Sequence, residues 1–176
     1  MSHTYPPVIV VDEHDTEIGT AQLSQVWAKG LYHRIASVFI LDGQGRMLLQ
    51  LRSPNVKAYP NCWDQAAGGH VDAGKTYEST AAEESEEELG LHDLTLVAVG
   101  TYRSNNRENE QIINQFERVF RAQIPSGTTL KPQAEELSEL RWFTPLELKT
   151  LIAEQPKSLT SGLLYDLEHF FPEFYP

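Results

Sequence analysis

The sequence lacks the features that several large classes of protein require. Cys62 is its single cysteine, which excludes an intramolecular disulfide framework and a zinc site built from several cysteines. Apolar runs are short, because the stretch at 35–41 is interrupted by Ser37 and falls well below the length of a membrane-spanning helix. We therefore expect a cytoplasmic protein with no membrane span.

Basic residues are also scarce. The chain has 14 lysines and arginines against 25 aspartates and glutamates, for a formal net charge of −11. A surface this acidic repels a phosphate backbone and an anionic membrane, so neither duplex nucleic acid nor a membrane surface is an expected partner. An anionic small substrate would need local basic residues or a metal cation beside it.

The composition is that of one globular domain. The chain has 176 residues, of which 40% are hydrophobic and 22% are charged, and it contains no internal repeat or linker. We expect a single α/β domain, in which residues 1–30 form an N-terminal hairpin extension and residues 31–172 form the core. Patterning predicts strands at 8–11, 17–21, 35–41, 47–51, 62–67, 94–102, 112–124 and 140–143, with a polar loop at 104–110 and helices at 77–89, after 144 and at 159–170.

The helix at 77–89 carries the first chemical signal. Thr76 is a suitable N-cap and Gly90 a suitable C-cap. At 3.6 residues per turn, Glu84, Glu87 and Glu88 fall within an arc of about 100°. A solvated acidic face is the alternative interpretation of this glutamate-rich segment.

The apolar stripe of the same helix favours a metal site over a solvated face. Glu88 lies at the edge of the stripe that would pack on a sheet, which comprises Tyr77, Ala81, Ala82, Ser85 and Leu89. Glu88 should therefore be partly buried, and carboxylates packed together beside apolar surface need a compensating positive charge. A hard divalent cation with oxygen ligands meets this need, so we expect Mg²⁺ or Mn²⁺ at Glu84, Glu87 and Glu88.

A glycine pair precedes this helix. Gly68, Gly69 and His70 follow the predicted strand at 62–67, so the backbone there can approach a ligand closely and offer a carbonyl oxygen to the metal.

Residues 69–91 resemble the Nudix box. The consensus is Gly, five residues, Glu, seven residues, Arg-Glu, an apolar residue, any residue, Glu-Glu, any residue, Gly and an apolar residue. The spacing is met without a gap by Gly69, Glu84, Glu87, Glu88, Gly90 and Leu91. The resemblance implies an α/β/α sandwich with a mixed β-sheet. It also implies a divalent-metal-dependent hydrolase that cleaves a phosphoanhydride bond in a nucleoside diphosphate derivative or nucleotide, with metal held by Gly69, Glu84, Glu87 and Glu88.

The box departs from the consensus at three positions. Ser85 stands at an apolar position, Lys75 replaces the early glutamate and Glu83 replaces the arginine. The resemblance implies that a glutamate and an arginine at those last two positions form a salt bridge in the family. We therefore predict the same bridge between Lys75 and Glu83, with its charges exchanged. If Lys75 instead reached Glu84 or Glu87, it would compete with the cation.

Segments outside the box resemble the Nudix branch related to isopentenyl-diphosphate isomerase. They are 11–13, 33–34, 51–53, Pro60 with Trp63, and 141–145. His33 and His70 match metal-binding histidines of the isomerase, but its catalytic cysteine corresponds to Gly68, and Cys62 lies too far upstream to replace it. We therefore favour a hydrolase. An isomerase-like enzyme and a non-catalytic module that binds a nucleotide or partner are the alternatives.

Hydrolysis needs a general base and cations that orient the phosphates. Glu84 is a candidate base, and the resemblance adds later glutamates, for which Glu110, Glu135 and Glu136 are options. The predicted substrate-binding residues are Arg34, Arg52, Lys57 and His70. Tyr59, Tyr102 and Phe116 could stack on a base or belong to the core, and Cys62 is expected to be a small buried residue.

Overall fold

The sheet is the frame on which the other elements lie. The structure is a computed structural model that describes residues 6–56, 58–108, 111–132 and 137–176. Within these residues the strands are β1 (Val8–Val11), β2 (Glu17–Ala21), β3 (Tyr32–Asp42), β4 (Met47–Arg52), β5 (Trp63–Asp64), β6 (Ala67–His70), β7 (Val97–Glu108), β8 (Gln111–Ile124) and β9 (Leu137–Phe143). The helices are α1 (Leu23–Lys29), α2 (Tyr77–Leu89), α3 (Pro145–Glu154) and α4 (Ser161–Phe170), with short 3₁₀ turns at Pro156–Ser158 and Pro172–Phe174.

Strand β3 organises the mixed sheet. It runs antiparallel to β1, β4 and β6 and parallel to β8, from Tyr32 opposite Asn114 to Asp42 opposite Ile124. Strands β3 and β4 pair only at Ile40–Leu48 and Leu41–Met47. Beyond that point β6 lies along β3, whereas β5 and β9 lie along β4. The sheet is therefore split in its middle.

Helices cover both faces of the sheet. Alternate residues of β3 face opposite sides, as expected for a strand. Ala36 and Val38 pack in one core with Ala81 and Leu89 of α2. Phe39 packs in a second core, with side chains of α3 and α4 that include Leu148 and Leu163. The predicted α/β/α sandwich is confirmed.

Several sequence predictions hold at the level of elements. The N-terminal hairpin forms from β1 and β2, and the helix after Thr144 starts with the capping box expected there, in which Glu147 N donates to Thr144 Oγ1 at 3.2 Å. Helix α2 has the predicted bounds and caps. Its buried stripe contains Thr80, whereas Ala82 is exposed, so the prediction for Ala82 was wrong.

The structure departs from the predicted secondary structure in a further strand, a loop and a helix. The predicted strand at 62–67 is two short strands, because β5 pairs with β4 and β6 pairs with β3, and the chain crosses between them. The predicted loop at 104–110 is wrong for its first part, since β7 continues to Glu108. Helix α1 was not predicted because it has seven residues and its N-cap, Gln22, makes no side-chain cap hydrogen bond.

Candidate active site

A cleft opens where the sheet splits. Its volume is about 980 Å³. One side is formed by Gly68–His70 of β6 and by Glu83, Glu84, Glu87 and Glu88 of α2. The other is formed by polar side chains of β7 and β8 and the first turn of α4. Among the described helices, none is long and apolar enough to cross a membrane.

Helix α2 has its register fixed at both ends. Thr76 and Ser79 form a reciprocal capping box, in which Ser79 N donates to Thr76 Oγ1 at 3.1 Å and Thr76 N donates to Ser79 Oγ at 3.0 Å. Gly90 ends the helix in the left-handed region, with a φ of 68°, and its N–H bonds the carbonyl of Glu86. The caps therefore hold the glutamates of this helix at fixed positions beside β6.

The three predicted metal ligands line the cleft together. Glu88 is only 6% exposed, and its Oε2 accepts a hydrogen bond from Gly68 N at 3.3 Å. Glu84 is half-buried and Glu87 is exposed. The expected burial of Glu88 is confirmed.

Gly69 allows a side chain of α2 to approach its backbone closely. A Cβ at this position would collide with Glu84 Oε1, so the carboxylate lies directly against the glycine backbone. This contact brings carboxylate oxygens beside a backbone that can supply a carbonyl, and such an all-oxygen set suits a hard divalent cation. Among the described residues, no three His, Cys, Asp or Glu side chains yet converge closely enough to coordinate one ion.

The exchanged salt bridge is present. Lys75 Nζ lies 2.5 Å from Glu83 Oε2 and 3.3 Å from Asp72 Oδ2. The hydrogen bond to Glu83 raises the pKa of Lys75. Lys75 is thus directed at Glu83 and Asp72.

Arg52, a predicted phosphate-binding residue, lines the cleft. Its Nη1 donates to Asp64 Oδ2 at 3.0 Å and its Nε donates to the carbonyl of Ala58 at 3.1 Å. Asp64 also accepts from Thr160 Oγ1 at 2.8 Å, and burial raises the pKa of Asp64 despite these partners. These hydrogen bonds fix the guanidinium of Arg52, while 27% of the Arg52 side chain stays exposed.

Arg34 lies outside the residues that line the cleft. Its Nε donates to Asp15 Oδ1 at 2.6 Å, and its guanidinium lies 5.3 Å from the centre of the Tyr77 ring. The prediction that Arg34 orients substrate phosphates finds no support in this placement, because the side chain is occupied in joining β3 to the hairpin. Lys57, Glu110, Glu135 and Glu136 lie outside the described residues.

His70 lines the cleft beside His33. Their ring centres are 5.0 Å apart, and Trp27 approaches His70 edge-on at 6.2 Å. Burial lowers the pKa of His33 to about 4, and burial together with His33 lowers that of His70 to about 3. Both imidazoles are therefore neutral near pH 7. In the described part of the chain, His70 Nδ1 and both ring nitrogens of His33 lack a hydrogen-bond partner of good geometry.

The remaining sequence predictions have mixed outcomes. Phe116 is 8% exposed and belongs to the core, whereas Tyr59 lines the cleft and its hydroxyl lies 2.7 Å from Ser161 Oγ. Cys62 is half-buried, not buried as expected, and its Sγ lies 3.7 Å from the carbonyl of Lys157.

Sequence reasoning missed a buried acidic network at the floor of the cleft. Glu117 is 4% exposed and accepts hydrogen bonds from Ser37 Oγ, from Tyr102 OH at 2.8 Å and from Gln115 Nε2 at 3.2 Å. Asp166 of α4 is fully buried beside it. A single glutamate within the predicted strand at 112–124 was the available signal, but its partners lie on three other elements.

Burial raises the pKa values in this network. The pKa of Glu117 is raised by burial, and that of Asp166 is raised well above its ordinary value by burial and by the charge of Glu117. The pKa of Tyr102 is also raised by burial and by Glu117. Tyr102 therefore stays protonated and donates to Glu117.

Comparisons with known proteins show the family of this chain. The NUDIX domain family model matches residues 31–162. An uncharacterised Nudix hydrolase of Pseudomonas aeruginosa is 34% identical over 158 residues, which cover 88% of this chain and 90% of that protein. An isopentenyl-diphosphate Delta-isomerase of Nocardia farcinica is 32% identical over 164 residues, covering 92% and 93% respectively.

The fold also matches a solved structure. A Deinococcus radiodurans crystal structure superposes with a TM-score of 0.76 at 22% identity, covering 94% of this chain and 99% of that one. The sandwich, the glutamates of α2 against Gly69 and the family match across most of the chain lead to one conclusion: this protein belongs to the Nudix family.

Proposed function

We propose that this Nudix protein is a divalent-metal-dependent hydrolase that cleaves a phosphoanhydride bond in a nucleoside diphosphate derivative or nucleotide. The observation that carries the proposal is the placement of Glu84, Glu87 and Glu88 on one wall of the cleft, with Glu84 against the backbone of Gly69. The intact spacing of these glutamates supports it, as does the relative named a Nudix hydrolase.

Each part of the cleft has a role in this proposal. Gly69, Glu84, Glu87 and Glu88 would hold Mg²⁺ or Mn²⁺, which when bound supplies positive charge to the phosphates and lowers the pKa of water. Arg52 binds a phosphate oxygen, because Asp64 and the Ala58 carbonyl leave part of its guanidinium facing the cleft. Asp64 and Thr160 position that arginine.

The proton acceptor in this proposal is a carboxylate. Glu84 is the candidate among the described residues, since it faces the cleft beside the glycine pair. His70 lines the same cleft as a neutral imidazole and remains a proposed substrate contact, as does Lys57.

A panel of phosphoanhydrides tests this function. Release of phosphate or pyrophosphate is measured with nucleoside di- and triphosphates, nucleotide sugars and dinucleotide polyphosphates, in Mg²⁺ or Mn²⁺. We expect Glu87→Gln to lower metal-dependent turnover on the order of 100-fold, because it removes a negative ligand.

The same helix offers a matched control. Glu86 is exposed, lies 3.2 Å from His92 and does not line the cleft, so Glu86→Gln should retain turnover. Equal turnover of wild type and Glu87→Gln contradicts the proposed role of Glu87 in metal-dependent hydrolysis. No turnover of any member of the panel contradicts the hydrolase and favours a module that binds its ligand without hydrolysing it.

An isopentenyl-diphosphate isomerase is the second candidate. It is favoured by the Nocardia farcinica relative and by the proximity of His33 and His70, whose positions match the metal-binding histidines implied by the isomerase resemblance. Gly68 opposes it, because no thiol stands where that resemblance places the acid. Interconversion of isopentenyl diphosphate and its allylic isomer without phosphate release would establish it.

A further inference from the structure

Gln115 lies on the floor of the cleft at the end away from α2. It is a half-buried residue of β8 that lines the cleft with Tyr102 and Ile113. Residues 115 and 117 point to the same face of the sheet, since side chains alternate along a strand. Gln115 and Glu117 are therefore neighbours on that floor.

The network around Glu117 fixes which way the Gln115 amide points. Glu117 accepts hydrogen bonds from Ser37, Tyr102 and Gln115, which stabilise its ionised form. Asp166 lies within reach of Tyr102 and Glu117, but neither of its oxygens receives a hydrogen bond of good geometry in the described structure. The proton of this carboxyl pair therefore belongs on Asp166.

An ionised carboxylate can only accept hydrogen bonds, so it orients the neighbouring amide. The NH₂ group of Gln115 must face Glu117, and its carbonyl oxygen Oε1 must face the other way. Within the described residues, the side-chain hydrogen bond of Gln115 is the one to Glu117. Oε1 is thus an acceptor held in the wall of the cleft and available to a ligand.

Strand register sets the distance from this acceptor to the glutamate end of the cleft. Gln115 stands opposite His33 of β3, and Gly69 stands opposite Ala36 of the same strand. The two positions are two strand spacings apart across the sheet and three residues apart along it, a separation of about 14 Å. An extended nucleoside diphosphate can span from a phosphate at one end to its base at the other.

We infer that the side-chain carbonyl of Gln115 accepts a hydrogen bond from an amino group on the nucleobase of the substrate, so that the enzyme prefers amino-bearing bases to bases with a carbonyl at the same position. The inference rests on the proposed function and deepens it. A carbonyl on the base would face Oε1 as a second acceptor, and both groups would lose their hydrogen bonds to water without replacing them.

Base-matched substrate pairs test the inference. The best phosphoanhydride class of the panel is compared as cytidine against uridine and as adenosine against inosine, because each pair exchanges an amino group for a carbonyl. We expect kcat/KM to favour the amino member by about tenfold or more in the wild type. In Gln115→Leu this preference should fall to within about threefold.

Two further variants separate a lost contact from a damaged fold. Gln115→Met keeps the length of the side chain without a hydrogen-bonding group, and it should lose the preference in the same way. Gln123 lies at the other end of β8, exposed and away from the cleft, so Gln123→Leu should keep the wild-type ratio. The melting temperature of each variant reports whether it is folded.

The outcomes distinguish this inference from the proposed function. Turnover of both members of each pair at equal rates, or a preference for the carbonyl member, overturns the role of Gln115 and leaves the hydrolase standing. The same holds if folded Gln115 variants keep the wild-type preference. Absence of all turnover removes the proposed function and the inference together.

Discussion

Glu117 and Asp166 form a buried pair of carboxyl groups in which one proton decides the geometry of the cleft floor. Glu117 has three hydrogen-bond donors, whereas Asp166 is fully buried without one of good geometry. An ionised Asp166 would therefore leave a charge in the interior without compensation, at a cost of several kcal/mol. At this scale the structure predicts that Asp166 is neutral and Glu117 is charged.

Substitution of Asp166 by asparagine tests this assignment through stability. The folded-state pKa of Asp166 is raised well above 3.8, so the folded chain holds a proton that the unfolded chain releases. The free energy of unfolding of the wild type should therefore fall as the pH rises above that value and level off above the raised pKa. Asp166→Asn carries no titrating group, so its stability relative to the wild type should increase with pH.

Urea unfolding of the two proteins at pH values from about 5 to about 8 measures the difference. Glu117→Gln is the matched comparison, since it places a second NH₂ group against the donor of Gln115 and should lose about 1–3 kcal/mol near pH 7. An Asp166→Asn variant that is destabilised by the same amount at all pH values would show that Asp166 is charged in the folded protein.

The site residues that the sequence predicted lie close together in the chain, whereas the site residue that it did not predict has partners distant in the chain. Glu84, Glu87 and Glu88 lie on one face of a single helix, so their spacing alone predicts that they converge. Glu117 depends on residues of β3, β7 and α4 that are distant in the sequence. Arg34 pairs with Asp15 of the hairpin and is not among the residues that line the cleft, and this long-range contact leaves no local pattern in the sequence.

At the scale of elements, α2 and the segment before it act as a unit. The capping box at Thr76 fixes the start of the helix, and the Lys75–Glu83 ion pair ties the preceding turn to its second turn. Lys75 is 36% exposed and Glu83 is 47% exposed, so solvent screens the pair and it contributes only about 0.2–1 kcal/mol. The main effect of the pair is to hold the ammonium group of Lys75 beside the carboxylate of Glu83.

Exchange of the two charges tests whether the pair acts as a bridge. Lys75→Glu alone places a carboxylate against Glu83 and Asp72 and should lower the free energy of unfolding. The double variant Lys75→Glu, Glu83→Arg restores opposite charges in the order that the family box shows, so it should recover most of the loss. A double-mutant cycle measured by urea unfolding gives the coupling, which we expect to be about 0.2–1 kcal/mol.

The elements themselves followed the sequence where a local signal existed. Helices α2 and α3 were predicted because threonine caps, a proline and a glycine mark their ends. The division of the predicted strand at 62–67 was not foreseen, because it arises from pairing with β4 on one side and β3 on the other. Pairing partners of this kind are set by the whole sheet and leave no local pattern.

At the scale of the whole molecule, the net charge of −11 attracts cations to the surface as well as to the cleft. Counterions held loosely by the surface are screened by salt, with a Debye length of about 8 Å near 0.15 M ionic strength. Ions held by carboxylates at a specific site are much less sensitive to salt. A test of the metal site must therefore be made in salt and against a variant of equal charge.

Binding of Mn²⁺ measured by electron paramagnetic resonance at about 0.15 M salt tests the central claim most directly. Glu87→Gln and Glu86→Gln change the net charge equally, but Glu87 lines the cleft and Glu86 does not. We predict that the wild type and Glu86→Gln bind Mn²⁺ alike and that Glu87→Gln binds it at least about tenfold more weakly. Equal binding by the two variants would contradict the assignment of the glutamates of α2 as the metal site.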